Sequence, residues 1–109
     1  MISKEDGEWI LSGGKIAARL PATRPDHHRF VQVRGLVQSS VIHPDYGKPA
    51  THFRVMRYEV HQEFEDEYAS IENLRDCAIE IVEWDGIGQT VRRLAGADVE
   101  LSKDVDPLY

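Results

Sequence analysis

One cysteine, Cys77, in 109 residues leaves no partner for an internal disulfide and no CxxC frame for a metal. No apolar run is long enough for a membrane span, so a membrane-embedded protein is not expected. The opening residues, Met1-Ile-Ser-Lys-Glu-Asp6, lack the basic and apolar regions of a signal peptide, and the expected address is the cytoplasm. Glycine is present without forming a phosphate cradle. Gly86-Ile-Gly88 lacks a third glycine, and no helix is expected to follow it and hold a phosphate. There is no internal repeat and no low-complexity segment.

What is present is ordinary in apolar content and somewhat rich in charge, which suits a globular chain and not a disordered one. The length fits one domain, residues 1–109, with a single core. The net charge of −6 is unevenly placed. Residues 1–62 hold nine Lys/Arg against six Asp/Glu, or +3, whereas residues 63–109 hold four against thirteen, or −9. A strongly acidic later part disfavours nucleic acid and favours a cationic protein partner.

The pattern from Arg29 to Phe64 predicts two long strands joined by a loop over residues 43–51. Val31, Val33, Val37 and Val41 alternate with Gln32, Arg34, Gln38 and Ser40. In the second strand Phe53 and Val55 lie on one face, but Met56, Tyr58, Val60 and Phe64 lie on the other. Either a bulge near Val55-Met56 switches the faces or both faces are covered; the bulge is the preferred reading. Upstream, Trp9 and Leu11 alternate with their neighbours, as do Ile16, Ala18 and Leu20. Gly13-Gly14 between them predicts a hairpin with a type I′ turn. Residues 21–28, with two prolines, form a connector.

Downstream, Ser70 to about Cys77 predicts a short helix, and Ala78–Trp84 a strand. That strand pairs with Gln89–Leu94 through Asp85-Gly-Ile-Gly88, and a last strand covers Val99–Leu101. Residues 102–109 read as loosely attached. The fold class expected is therefore α+β: a twisted antiparallel sheet of about six strands with a long central hairpin and one short helix. The expected core is Trp9, Leu11, Ile16, Val31, Val33, Leu74, Ile79 and Ile81, with Cys77 largely buried.

No residue set commits to a chemistry. His43, Asp45 and His52 bracket the ribbon loop, and Glu59, His61 and Glu63 share a strand face, but neither set matches a metal-ligand frame. No metal, cofactor or catalytic residue is expected, and Arg54 and Arg57 are expected to pair with carboxylates on the sheet. In composition (small, acidic, cysteine-poor, strand-rich, without a catalytic motif) the chain is similar to bacterial toxin-immunity proteins and phage-encoded inhibitors of host defence. That likeness carries over no residues. The expectation is a stoichiometric inhibitor or immunity protein with a basic protein partner. Its contact residues would be Glu63, Glu65, Asp66 and Glu67, with Glu83, Trp84 and Asp85 as a second acidic patch around an aromatic anchor. The alternatives are an accessory subunit of an assembly, joined by strand pairing, and a small metal-binding or enzymatic domain using the histidines.

Overall fold

The computed structural model describes residues 2–109. In chain order it has helix α1 (Lys4–Leu11), strands β1 (Lys15–Leu20), β2 (His27–Leu36), β3 (His52–His61) and β4 (Arg75–Glu83), and helix α2 (Ile87–Ala95). The strands form one antiparallel sheet in the order β1-β2-β3-β4. The class is α+β, with four strands where about six were expected and two helices where one was.

Two expected strands are helices. Residues 8–11 belong to α1 because Ser3 caps it, its hydroxyl accepting from the Asp6 N–H at 3.1 Å, with Glu5 and Asp6 near the positive end of the dipole. Alternation there was incidental: only Gly7 and Ile10 of α1 are buried, and Trp9 stays 47% exposed. Residues 89–94 belong to α2. Its buried residues Ile87, Thr90, Val91 and Leu94 repeat at helical spacing. Gly96 ends it at φ 77°, a left-handed cap whose N–H returns to the Arg92 carbonyl. The expected helix over 70–77 is a single 3-10 turn, Ile71–Asn73, and the last expected strand, Val99–Leu101, does not form; one bridge, Ala17 to Ser102, lies just past it.

The central pair formed, with ten residues of β2 opposite ten of β3 from His27↔His61 to Leu36↔His52. Pairing stops at Leu36, so Val37 and Val41 lie in the loop, 40% and 74% exposed. The phase conflict in β3 resolves by coverage on both faces, not by a bulge at Val55-Met56. Phe53 and Val55 join Ile10, Ile16, Val31, Val33 and Leu94 in a core under the two helices. Met56, Tyr58 and Val60 join Phe30, Ala69 and Leu108 in a second core on the opposite face.

α1 reaches the sheet so closely that a Cβ on Gly35 would lie 1.7 Å from the Ile10 carbonyl oxygen, and only glycine fits. The bulge that does exist is on β4. The register slips between Arg57 and Glu59, leaving Asp76 and Cys77 opposite Tyr58, with Asp76 at φ 51°.

The segment from Ser102 to Tyr109 is not loose. Pro107 and Leu108 are buried, Tyr58 Oη donates to the Pro107 carbonyl at 2.7 Å, and the Ala69 N–H donates to the Leu108 carbonyl at 2.9 Å.

Core membership follows strand position. Ile16, Val31 and Val33 are fully buried, Leu11 and Leu74 half-buried, but Ile79 and Ile81 are 44% and 54% exposed. Cys77 is exposed too, contrary to expectation, because β4 is an edge strand and its outer side has no neighbour. Partial burial still raises its thiol pKa, against the lowering effect of Arg54 and Arg57.

Urea unfolding tests the double core. Met56→Ala is expected to cost about 2–5 kcal/mol, as in any filled core, while Ile81→Ala costs roughly 0.5 kcal/mol or less. Equal small effects would mean the second face is not a packed core.

Candidate functional site

Expected partner residues fall into two groups, and the fold parts them. Glu63 follows β3, and the chain then turns over the β2–β1 half of the sheet. Glu65 Oε1 lies 2.6 Å from His28 Nε2 on β2, and the exposed Tyr68 ring sits under Lys15 of β1, 4.8 Å from its Nζ. Asp66 and Glu67 stay exposed, beside Asp106 of the last segment in a small depression. Glu83 ends β4 at the far end of β3, opposite His52, with Trp84 and Asp85 following. A ten-residue strand is about 33 Å long, so Glu63 and Glu83 lie at opposite ends of β3, while the run from Glu65 to Tyr68 leads back along β2 and β1 to Lys15, on the far side of the sheet from β4.

Trp84 is half an anchor. Its ring meets Phe53 edge-on at 5.6 Å, and it lies under α1, where a Cβ on Gly7 would come within 3.2 Å of it. The remaining 45% of its surface is free beside Glu83 and Asp85.

The two edges of the sheet differ. The β1 edge is occupied: Ala17 exchanges both backbone hydrogen bonds with Ser102, at 3.0 and 2.9 Å. Among the described residues nothing bonds to the outer side of β4. No residue of β4 is fully buried, and its register places Ile79 and Ile81 on one face and Ala78, Glu80 and Val82 on the other. Glu80 is held bidentate by Arg93 of α2, at 2.5 and 2.7 Å, and this guanidinium lowers its pKa. Glu83 lies 3.9 Å from His52 and is otherwise free.

Sequence reasoning missed the buried Glu59. Its carboxylate accepts from the Thr23 N–H, from the Thr23 hydroxyl at 2.8 Å and from Arg24 Nη1 at 2.6 Å. The same Arg24 nitrogen reaches Asp76 at 2.6 Å. Burial pushes the Glu59 pKa up, but the Thr23 and Arg24 hydrogen bonds outweigh it and hold the carboxyl below its ordinary value. This carboxylate closes a structural knot tying the 21–26 connector to β3 and the β4 bulge. It is not a free base on a strand face. His61 instead caps the following 3-10 turn, its Nδ1 accepting from the Glu63 N–H at 3.1 Å.

The histidines scatter. His43 caps its own loop by accepting from the Asp45 N–H at 3.0 Å, His52 faces Glu83, and His27 packs edge-on against His61 at 5.1 Å. Among the described residues no three His, Cys, Asp or Glu side chains converge as metal ligands. Arg54 and Arg57 do not pair with carboxylates. Arg54 donates to the Gln32 amide oxygen at 3.2 Å, and Arg57 to the Leu94 and Asp76 carbonyls at 3.3 and 3.4 Å. Among the described residues no helix is long and apolar enough to cross a membrane.

Comparison with protein-family models, with curated proteins and with solved structures finds no match.

The knot and the Glu80–Arg93 pair have a pH signature. Glu59, Asp76 and Glu80 all titrate below their ordinary values in the folded state, so the unfolded chain binds more protons as acidity rises. Their contribution is complete above the unfolded carboxylate range, about pH 4–5, and is lost as pH falls through the folded values. Glu59→Gln is expected to lower stability at pH 7 by about 3–5 kcal/mol and to flatten the acid limb of stability against pH. An unchanged acid limb in this variant would remove Glu59 from the account.

Proposed function

We propose that this protein is a protein-binding module that takes an extended, basic segment of its partner onto the open edge of β4. It acts as a stoichiometric inhibitor or immunity protein rather than by chemistry of its own. The supporting observation is the β4 edge itself: a nine-residue strand whose outward-facing backbone groups, on alternate residues, meet no other strand among the described residues, with Ile79 and Ile81 exposed along one face. An added strand gains affinity from main-chain hydrogen bonds and specificity from alternate side chains. Here alternate partner residues would lie beside Ile79 and Ile81 and want to be apolar. Glu83 and Asp85, at the end of the strand, favour Lys or Arg there, with the free part of the Trp84 ring as a stacking surface.

The charge on this edge argues against the protein pairing with itself. Asp76, Glu80 and Glu83 would be duplicated across a β4–β4 junction, and acids on an edge commonly block such pairing. A cationic strand removes that repulsion. The patch of Asp66, Glu67 and Asp106 around Tyr68 then steers the approach of a basic partner rather than forming the contact. The same open edge also suits an accessory subunit completing the sheet of a larger assembly. The two readings part on whether the bound partner loses an activity.

Pull-down from source-cell lysate with three forms of the protein tests the edge. Ile81→Lys should release a basic partner that the wild type retains, without lowering the melting temperature, because Ile81 is exposed. The triple change Glu65→Lys, Asp66→Lys and Glu67→Lys should slow association and leave the complex in place, since rim charges act mainly on the association rate. Retention through Ile81→Lys and loss in the triple variant would move the contact to the β1–β2 side of the sheet. Loss of partner activity on binding supports the inhibitor.

A further inference from the structure

The cover over the sheet face that carries the second core is partial, and a row of three cations runs along its margin, Arg34 exposed and Lys15 and Arg54 half-buried beside Tyr109 and Tyr68. The register sets Lys15 of β1 opposite Arg34 of β2, and Arg34 opposite Arg54 of β3, with Ile81 of β4 next in the row. Neighbouring strands lie about 4.8 Å apart, so the three Cα positions span roughly 10 Å. Like charges directly opposite one another destabilise a sheet, and a chain with net charge −6 has carboxylates to spare. Yet none is used. Among the described residues every ion pair involves other cations: Arg24, Lys48, Arg92, Arg93, Lys103 or a histidine.

The row is also positioned. A hydrogen-bond relay runs from the Pro107 carbonyl to Tyr58 Oη, from Tyr58 Oη to Gln32 Nε2 at 2.9 Å, and from Gln32 Oε1 to Arg54 Nη2 at 3.2 Å. Gln32 and Tyr58 are fully buried, so a fixed amide orients the Arg54 guanidinium. Arg54 Nε is buried without a hydrogen-bond partner, a cost that native proteins seldom leave uncompensated. The guanidinium lies 5.6 Å from the Tyr109 ring, and Lys15 Nζ is held by the Tyr109 main-chain oxygen at 2.6 Å. Lys15 is the most compromised of the three. Burial lowers its pKa first and its neighbours Arg34 and Arg54 lower it further, while Asp106 acts the other way. An anion above the row would relieve that repulsion.

We propose that Lys15, Arg34 and Arg54 form a binding site for a small phosphate-bearing anion, such as a nucleotide, whose apolar part lies over Ile79 and Ile81. A phosphate dianion matches the Arg34 and Arg54 guanidinium groups, which bind its oxygens in pairs, with Lys15 as a point charge. The exposed isoleucines beside Arg54 supply an apolar platform for a base or another flat group. A nucleic-acid strand fits less well. Three cations serve one or two phosphates, and further phosphates would run onto the surface of a protein carrying net charge −6. The site lies on the face of the sheet and does not depend on what pairs with the β4 edge.

Titration of 15N-labelled protein with pyrophosphate and with AMP at low ionic strength reads the site directly. Potassium chloride at matched ionic strength is the control. Saturable shifts are expected in the amides of Lys15, Gln32, Arg34, Arg54 and Ile81 for both probes, extending to Ile79 for AMP. Arg34→Gln, at an exposed position, should weaken binding about tenfold or more. The free variant should melt no lower than wild type, because one like charge is gone from the row. Arg19→Gln, an exposed arginine of the same face outside the row, should bind as wild type does. Absence of saturable shifts, shifts reproduced by chloride, or equal weakening by Arg19→Gln would overturn the proposal. So would binding of a single-stranded oligonucleotide without binding of either small probe.

Discussion

β3 has to be dry on both sides, and the rest of the molecule follows from that requirement. Its alternate residues Phe53 and Val55 face the helices, while Met56, Tyr58 and Val60 face the other way, and all five are fully buried. A four-stranded sheet cannot cover its own faces, so each needs a separate lid. α1 and α2 supply one. Ala69 and the segment from Ser102 to Tyr109 supply the other, without regular secondary structure but with two buried residues and defined hydrogen bonds.

An irregular lid brings backbone carbonyls against an apolar face, and these need donors. Tyr58 answers this with its hydroxyl, which donates to Pro107 and accepts from Gln32. Gln32 is an amide at a fully buried strand position, where an apolar side chain would leave the Tyr58 oxygen without a donor and the Arg54 guanidinium without its acceptor. On the opposite face Glu59 performs the equivalent task for a proline-containing connector that cannot pair as a strand. Each buried polar group thus joins an irregular segment to the sheet. This explains why so short a chain can carry long non-regular stretches without losing its core.

Legibility in the sequence tracked how many constraints each segment obeyed. β2 and β3 were readable because β-branched content, alternation and a loop with turn residues agreed. α1 was misread because its eight residues alternate by accident while bearing a Ser3 cap and acids in the first turn, the stronger signals. α2 was misread because Asp85-Gly86 resembles a hairpin turn, although Ile87, Val91 and Leu94 keep helical spacing and Gly96 stands at the cap. Exposure of Ile79, Ile81 and Cys77 was not readable at all. A strand's own residues do not say whether it lies at the edge of a sheet, and β4 has the composition of an interior strand. Nor could periodicity show that Gln32, on the expected solvent face of its strand, lies under a lid built from residues some seventy positions away.

The charge asymmetry along the chain dissolves when the strands interleave, and what survives is more informative than the asymmetry itself. A few cations find acids far away in the chain or on another strand. Arg24 takes Glu59 and Asp76, His28 takes Glu65, and Lys103 reaches back to Glu5, while Glu80 is met by Arg93 within the second part. Lys15, Arg34 and Arg54 share the lack of an acid partner with Arg19, Arg29 and Arg57 but differ in that the strand register fixes them side by side, on a face whose fourth strand offers Ile79 and Ile81 instead of an acid. One substitution, an acid at position 81 opposite Arg54, would have neutralised the row within the sheet. The chain keeps acids at 80 and 83 and an isoleucine at 81, so the exposed Arg34 and the apolar platform lie on the same face, with the half-buried Lys15 and Arg54 beside them.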